Sequence, residues 1–363
     1  KAQGDVLIDL GSKNGTFANG VRVREHVLAD HDLIEVGHSL LCYRSVEQRL
    51  ADVLATTDRH FGPTLTRSPE VAMLLHNLRP LAVSPRPVLL LGETGTGKEL
   101  AARLLHEWSG RTGEYATVDC GAVPDTLFES LFFGHVRGAF TGAVSGQEGV
   151  IARADRGTLF LDEVGNLSEA AQAKLLRAMQ ETQITRLGAQ KSQPVDVRWV
   201  AATNSGLHDP QSSFRRDLLR RLGTTQQLPP LRHRREDLGE LCAHFLNTEP
   251  TLAAFPETAI TAEAGRRLFC GPLPGNIRQL REALLSAALL ARKGPISEQH
   301  ILSADMSLKG SAPVPLAHPR SSQPSREELA AALLATNGNK TAAAQRLGTS
   351  VRQLHRWLKR ADS

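Results

Sequence analysis

The stretch PVLLLGETGTGKE, residues 87–99, restricts the fold more than any other part of this chain. An apolar strand, Val88 to Leu91, runs directly into Gly92-Glu93-Thr94-Gly95-Thr96-Gly97-Lys98, after which a helix is expected. Glycines let successive backbone N–H groups turn inward around phosphate oxygens, and the helix offers its positive end. Lys98 then neutralises the terminal phosphates. A strand, loop and helix in that order demand a parallel α/β sheet with its ligand at the strand ends. Glu99 follows the lysine, where a phosphate loop usually carries a Mg²⁺-binding hydroxyl. Its carboxylate must either face a metal ion, through water, or turn away from the phosphates.

Two further strand ends complete this site. GTLFLDEVG delivers Asp162 and Glu163 at the carboxyl end of an all-apolar strand. Asp162 suits Mg²⁺ and Glu163 suits polarising an attacking water. VRWVAATN ends at Thr203 and Asn204, a polar pair suited to sensing the terminal phosphate of ATP. PGNIRQLR places Arg278 near the start of a helix, within reach of the nucleotide. FRRDLLRRL keeps Phe214, Leu218 and Leu222 on one helical face and puts Arg215, Arg216, Arg220 and Arg221 elsewhere.

The rest of the chain divides by pattern. Residues 1–44 alternate apolar and polar positions between glycine turns, the mark of strands and hairpins. Residues 45–67 read as a helical connector ending at Gly62-Pro63. Strands and helices alternate over 68–228, and helices fill 229–305. Residues 306–325 are rich in Pro and Ser and form a linker, and 326–363 return to helix. The expected fold class is therefore multidomain: a partial all-β sandwich, an α/β phosphate-loop domain with a helical lid, and an all-α end. The composition, 41% hydrophobic and 22% charged, is that of an ordinary globular chain. Aromatics at 4% argue against an aromatic cage or sugar platform. The four cysteines are scattered without metal-ligand spacing and read as buried thiols in a reducing compartment. The apolar run beginning at Ala283 falls short of the roughly 18 residues that suggest a membrane span, and the expected location is cytoplasmic.

RGAFTGAV, residues 137–144, fits none of this chemistry. Gly138, Ala139, Phe140, Thr141, Gly142 and Ala143 include no phosphate ligand, yet the loop sets a phenylalanine between flexible glycines. Composition alone favours a hairpin with Phe140 tucked into its own core.

Over 68–305 the chain resembles the AAA+ domain of bacterial enhancer-binding proteins, the ATPases that activate sigma-54 RNA polymerase. GETGTGKE, GAFTGA, GTLFLDE, AATN, the FRRDLLRRL helix, LPPLRHRREDL and PGNIRQL occur in that family's order. The glutamate after the phosphate-loop lysine is that family's own form. The resemblance implies that Lys98 and the loop binds ATP, that Asp162 holds Mg²⁺ and that Glu163 activates water. Asn204 corresponds to sensor I and Arg278 to sensor II. Arg215 and Arg221 resemble arginine fingers supplied by a neighbouring subunit, which implies a ring, usually a hexamer. It implies that residues 138–143 contact sigma-54, which reverses the reading of Phe140 from core to contact.

This chain departs from the family's pattern at several positions. Asp119 lies where the family often has an asparagine that restrains the catalytic glutamate; an ionised Asp119 close to Glu163 would repel it. Leu131 replaces an acid, Ala152 a glutamate and Leu273 a tryptophan. None removes a phosphate ligand.

The two ends carry resemblances of their own. NKTAAAQRLGTSVRQLHRWLKR, from Asn339 to Arg360, holds six Lys and Arg and no acid, and resembles a Fis-type helix-turn-helix. Arg352, Gln353, His355 and Arg356 are its candidates for the DNA major groove. DLGSKNGTFANGVRV resembles the second half of a forkhead-associated domain, which binds phosphothreonine peptides. Ser12 and Asn14 match its later peptide loop, while the family's phosphate-gripping arginine and serine belong to the first half. The expected function is activation of sigma-54 promoters, with ATP hydrolysis in a ring remodelling the closed polymerase complex at enhancer-bound double-stranded DNA. The alternative is a DNA-binding regulator with a vestigial ATPase that acts without sigma-54.

Overall fold

The computed structural model describes residues 4–308, apart from 38, 205, 208–212, 253–258, 293 and 306. The linker and helix-turn-helix, with Arg352, Gln353, His355 and Arg356, lie outside the described residues. Two compact units emerge.

The larger unit, Glu47–Pro256 with Leu273–Leu285, is built on a five-stranded parallel sheet. Its order is Tyr115–Asp119, Thr158–Asp162, Arg198–Thr203, Val88–Leu91, Thr224–Gln227. The phosphate-loop strand thus pairs with both later strands, Val200↔Val88 on one side and Thr224↔Val88 on the other. Strand order switches there, and an open parallel sheet binds ligands outside such a point. Helices cover both faces, so Leu89, Leu90, Leu159 and Leu161 are fully buried, each contributing about 2 kcal/mol relative to exposure.

One buried strand residue is charged. Arg198 is 2% exposed, and its guanidinium donates to the carbonyls of Leu81, Ala82 and Ser84. These lie at the end of the helix Pro69–Ala82, where carbonyls lack helical partners and the dipole favours a cation. Burial lowers its pKa to about 10, which leaves it charged at neutral pH.

The connector differs from the expected continuous helix. A helix covers Gln48–Thr56, and a hairpin of His60–Phe61 and Thr64–Leu65 follows. Gly62, at φ 62°, makes its turn. Gly-Pro is the turn of a hairpin here, and strands of two residues are too short for an alternating pattern to reveal.

The smaller unit combines the N-terminal residues with Glu257–Pro272 and Ser286–Ser363. A four-stranded antiparallel sheet runs Val21–Val23, Thr16–Ala18, Leu33–Val36, Ser39–Cys42, beside the pair Val6–Ile8 and Glu25–Val27. Buried Asp32 organises it, accepting from Asn19 Nδ2 at 2.7 Å and from the Ala29 N–H at 2.8 Å. Glu35 on this sheet meets Arg266 Nη2 on the helix Ala262–Cys270 at 2.5 Å. Among the described residues, no helix is long and apolar enough to cross a membrane.

Candidate active site

A cleft of about 700 Å³ opens at the carboxyl end of the parallel strands. Its floor is the loop after Val88–Leu91. Gly95 and Gly97 adopt φ of 79° and 101°, a region that L side chains avoid. A Cβ at Gly95 would collide with the Gly275 carbonyl, and one at Gly92 would meet the Leu228 carbonyl at 3.1 Å. Thr96 Oγ1 closes the turn on the Glu93 carbonyl at 2.8 Å. Lys98 begins the helix Lys98–Ser109 and is 6% exposed. Its Nζ donates to the Gly92 carbonyl at 2.9 Å and lies 3.5 Å from Glu163 Oε1.

Adjacent strand ends bring the carboxylates together. Asp119 and Asp162 are register partners on paired strands, and both line the cleft with Glu163. Burial raises the Asp162 pKa, and Glu163 and Asp119 raise it further, against the lowering effects of the Glu163 N–H and Lys98. Glu163 sits in the left-handed region, φ 49°, a strained conformation for a non-glycine residue. That turn aims its carboxylate at Asn204, whose N–H donates to Glu163 Oε2 at 3.2 Å. Asn204 Nδ2 reaches Thr94 Oγ1, also at 3.2 Å, so one residue connects the candidate base to the phosphate loop. Thr203 is buried, and its carbonyl accepts from the Gly92 N–H. Asp119 Oδ1 accepts from the Gly121 N–H at 2.9 Å, which fixes this carboxylate in a local turn. Asp162, at the strand end beside the phosphate loop, offers the hard carboxylate oxygen that suits Mg²⁺.

Glu99 turns to Arg103, 3.8 Å away on the next turn of the helix, and its side chain is 65% exposed. Glu93 is engaged more tightly. Arg232 grips its carboxylate with two bonds of 2.7 and 2.8 Å, and Asn276 Nδ2 adds a third at 3.1 Å. The Arg232 bonds lead in holding the Glu93 pKa down to about 2, with Asn276 assisting. Asn276 starts the helix Asn276–Ala291, which carries Arg278, and the Ile277 N–H donates to the Gly95 carbonyl at 3.0 Å. Arg278 thereby lines the cleft beside the loop. Arg278 is visible in sequence after its Pro-Gly-Asn turn, whereas Arg232, in LPPLRHRREDL, carries no local sign of its distant partner. A second arginine of that motif, Arg234, is 2% exposed and donates to the Thr96 carbonyl at 2.6 Å. Asp237 accepts from Thr66 Oγ1 and from the N–H groups of Arg67 and Ser68. It thus pins the chain after the hairpin, whose Phe61 and Leu65 join Leu241, Phe245 and Ile277 as an apolar wall suited to a nucleobase.

Arg215 and Arg221 do not line this cleft. Arg215 pairs with exposed Asp217 at 2.7 Å, and Arg221 Nη2 donates to the Met179 carbonyl at 2.9 Å. Phe214, Leu218 and Leu222 are buried while Arg216 and Arg220 face solvent, as the helical pattern implies.

The 138–143 loop projects from the antiparallel pair Gly134–His135 and Gln147–Glu148. Gly138 and Gly142 take φ of 81° and 100°, and Gly138 N–H donates to the Ala143 carbonyl at 2.9 Å. Thr141 is exposed, Ala143 is buried, and Ala139 packs under a Cβ position at Gly188. Phe140 is 47% exposed and sets its ring edgewise on His135, 5.0 Å between centroids. A second hairpin braces the base: Val136 N–H donates to the Leu187 carbonyl and Leu187 N–H to the Gly134 carbonyl. Leu131 packs partly buried against the main core, and Ala152 and Leu273 are buried. At the N-terminus Asn14 is exposed, and the Ser12 N–H donates to Asp9 Oδ1 at 2.9 Å.

Family models match four stretches: Sigma-54 interaction domain over 64–227, AAA+ ATPase lid domain over 232–313, Bacterial regulatory protein, Fis family, over 325–360, and FHA domain over 3–37. The chain is 41% identical over 296 residues to transcriptional regulatory protein ZraR of Klebsiella oxytoca, covering 79% of this chain and 66% of that protein. To ZraR of Escherichia coli strain K12 it is 39% identical, covering 84% and 70%. To the sigma54-dependent transcriptional regulator SfnR of Pseudomonas fluorescens it is 42% identical, covering 64% and 65%. The chain thus spans about two thirds of the length of these relatives. Among solved structures it resembles NtrX from Brucella abortus in complex with ATP, with TM-score 0.62, 27% identity, and coverage of 86% of this chain and 72% of that one.

Proposed function

The chain belongs to the family of sigma-54-dependent transcriptional regulators, and from that premise we propose that it binds upstream DNA and uses ATP hydrolysis to open sigma-54 promoters. One observation carries this reading: a single cleft gathers the phosphate loop, the Asp162–Glu163 strand end and Asn204, and the 138–143 loop keeps Phe140 half-exposed outside it.

The loop N–H groups and the start of the Lys98 helix hold the phosphates, and Lys98 neutralises their outer charge. Asp162 would hold Mg²⁺, which would neutralise phosphate charge when bound with ATP. Glu163 orients and deprotonates the attacking water, steadied by Asn204 from the phosphate-loop side. Arg278 faces the nucleotide from the lid helix. Asp119 takes the place of the family's asparagine, and its Oδ1 accepts from the Gly121 N–H. Arg215 and Arg221 serve a neighbour's ATP in a ring, usually a hexamer. Residues 326–363 supply DNA recognition through Arg352, Gln353, His355 and Arg356. Binding to phosphothreonine through Ser12 and Asn14 requires the phosphate-gripping residues of a complete forkhead-associated domain.

The test is reconstitution of promoter opening. Purified chain with ATP and sigma-54 RNA polymerase should open a sigma-54 promoter, read as strand separation at the start site. A non-hydrolysable ATP analogue should give none. Repression or DNA binding with no ATP-dependent opening would favour the regulator with a vestigial ATPase.

A further inference from the structure

The helix Glu169–Glu181 lies between parts of the site that the proposed mechanism treats separately. Gln172, in its first turn, is 1% exposed. Its Nε2 donates to the Leu167 carbonyl at 2.8 Å, and its Oε1 accepts from the Arg215 N–H at the same distance. Leu167 closes the short helical turn Val164–Asn166, which begins at strained Glu163. Within that turn the Asn166 N–H donates to the Glu163 carbonyl at 2.9 Å. One buried amide therefore joins the turn behind the catalytic carboxylate to the residue that begins the Arg216–Arg221 helix. At its other end the same helix holds Arg221, through the Met179 carbonyl.

A glutamine is suited to this place because its two ends differ. The amide donates to a carbonyl on one side and accepts from an N–H on the other, without bringing charge into the interior. An aliphatic residue would fill the space and leave both backbone groups unpaired. Through these bonds a displacement of the Glu163 turn would reach Leu167, Gln172 and the backbone of Arg215 in turn.

We propose that Gln172 is a positioning residue that couples the state of a subunit's own ATP site to the arginine it lends to its neighbour. The proposal rests on Arg215 acting on the adjacent subunit's ATP. Hydrolysis would then pass around the ring in one direction, because each site sets the finger that completes the next. Gln172 does not line the cleft; it acts through Arg215.

Mixed rings of the full chain test this. Gln172→Met keeps side-chain length and removes both hydrogen bonds. Alone it should lower kcat about 10²-fold, the scale of a misplaced catalytic group, with the KM for ATP unchanged. Mixed with Glu163→Gln subunits it should regain hydrolysis, since a Gln172→Met subunit has an intact Glu163 and receives a well-placed finger from its neighbour. Mixed with Arg215→Ala subunits it should not, because both partners donate a defective finger. Glu163→Gln with Arg215→Ala is the control: its recovery establishes fingers in trans, and its failure rejects that underlying reading. With the control recovered, no recovery of Gln172→Met by Glu163→Gln, or recovery by Arg215→Ala, overturns the coupling role. If Gln172→Met fails to fold, Gln172→Leu, which also removes both hydrogen bonds, enters the same mixtures under the same criteria.

Discussion

Mixing inactive Glu163→Gln subunits with inactive Arg221→Ala subunits is expected to restore ATP hydrolysis. Arg215 and Arg221 do not line the cleft of their own chain, as their proposed service to a neighbour's ATP requires. An arginine finger contributes roughly 10³- to 10⁵-fold to the rate, or about 4–7 kcal/mol at 1.36 kcal/mol per decade. The visible structural role of Arg221, one hydrogen bond to the Met179 carbonyl, contributes only about 1 kcal/mol. Arg221→Ala should therefore fold and bind ATP while losing turnover. In a mixed ring some interfaces join an intact Glu163 to an intact Arg221. Steady-state phosphate release across mixing ratios checks this. A flat baseline despite demonstrated co-assembly contradicts shared sites.

Glu163→Gln and Lys98→Ala should separate chemistry from binding. The amide oxygen of a glutamine still accepts from the Asn204 N–H, as Glu163 Oε2 does, so the site keeps its shape and loses its base. Hydrolysis should fall about 10²- to 10⁴-fold, the range of general-base catalysis, with ATP affinity retained. Lys98 is buried against the Gly92 carbonyl, 3.5 Å from Glu163. Its removal takes away a desolvated cation and should weaken ATP binding by about 10²-fold or more, consistent with a charged hydrogen bond of up to 3 kcal/mol. Equilibrium titration with a fluorescent ATP analogue distinguishes the two variants. Equal affinity in wild type and Lys98→Ala contradicts the phosphate assignment.

The sequence made parts of this site legible because phosphate chemistry leaves few alternatives. Close backbone approach requires glycines, a buried parallel strand reads as an apolar run, and a carboxylate at its end stands out. Lys98, Asp162, Glu163 and Asn204 stand out on those grounds and Arg278 by its place after the Pro-Gly-Asn turn, and all five line one cleft. Other residues act through distant partners, through shape or through backbone groups. Arg232 fixes Glu93 across 139 residues of chain, and no local pattern signals so distant a pair. Gln172 and Arg198 bond main-chain carbonyls, and any polar residue on a helix or strand is compatible with such a role. Gly188 appears in sequence as an ordinary turn glycine, yet Ala139 and Val136 occupy the space its side chain would need.

The central claim is that hydrolysis at this cleft is converted into work on sigma-54 through Phe140. Its ring rests on His135 while nearly half of its surface stays in water. A solvent-facing phenylalanine in a glycine-hinged loop suits contact with a partner better than stability of its own fold. The most direct measurement compares Phe140→Ala with the wild-type chain, following phosphate release and open-complex formation together. The account predicts ATP hydrolysis within about twofold of wild type, since a surface truncation outside the cleft costs little, with sigma-54 binding and promoter opening abolished. Normal promoter opening by Phe140→Ala would contradict it.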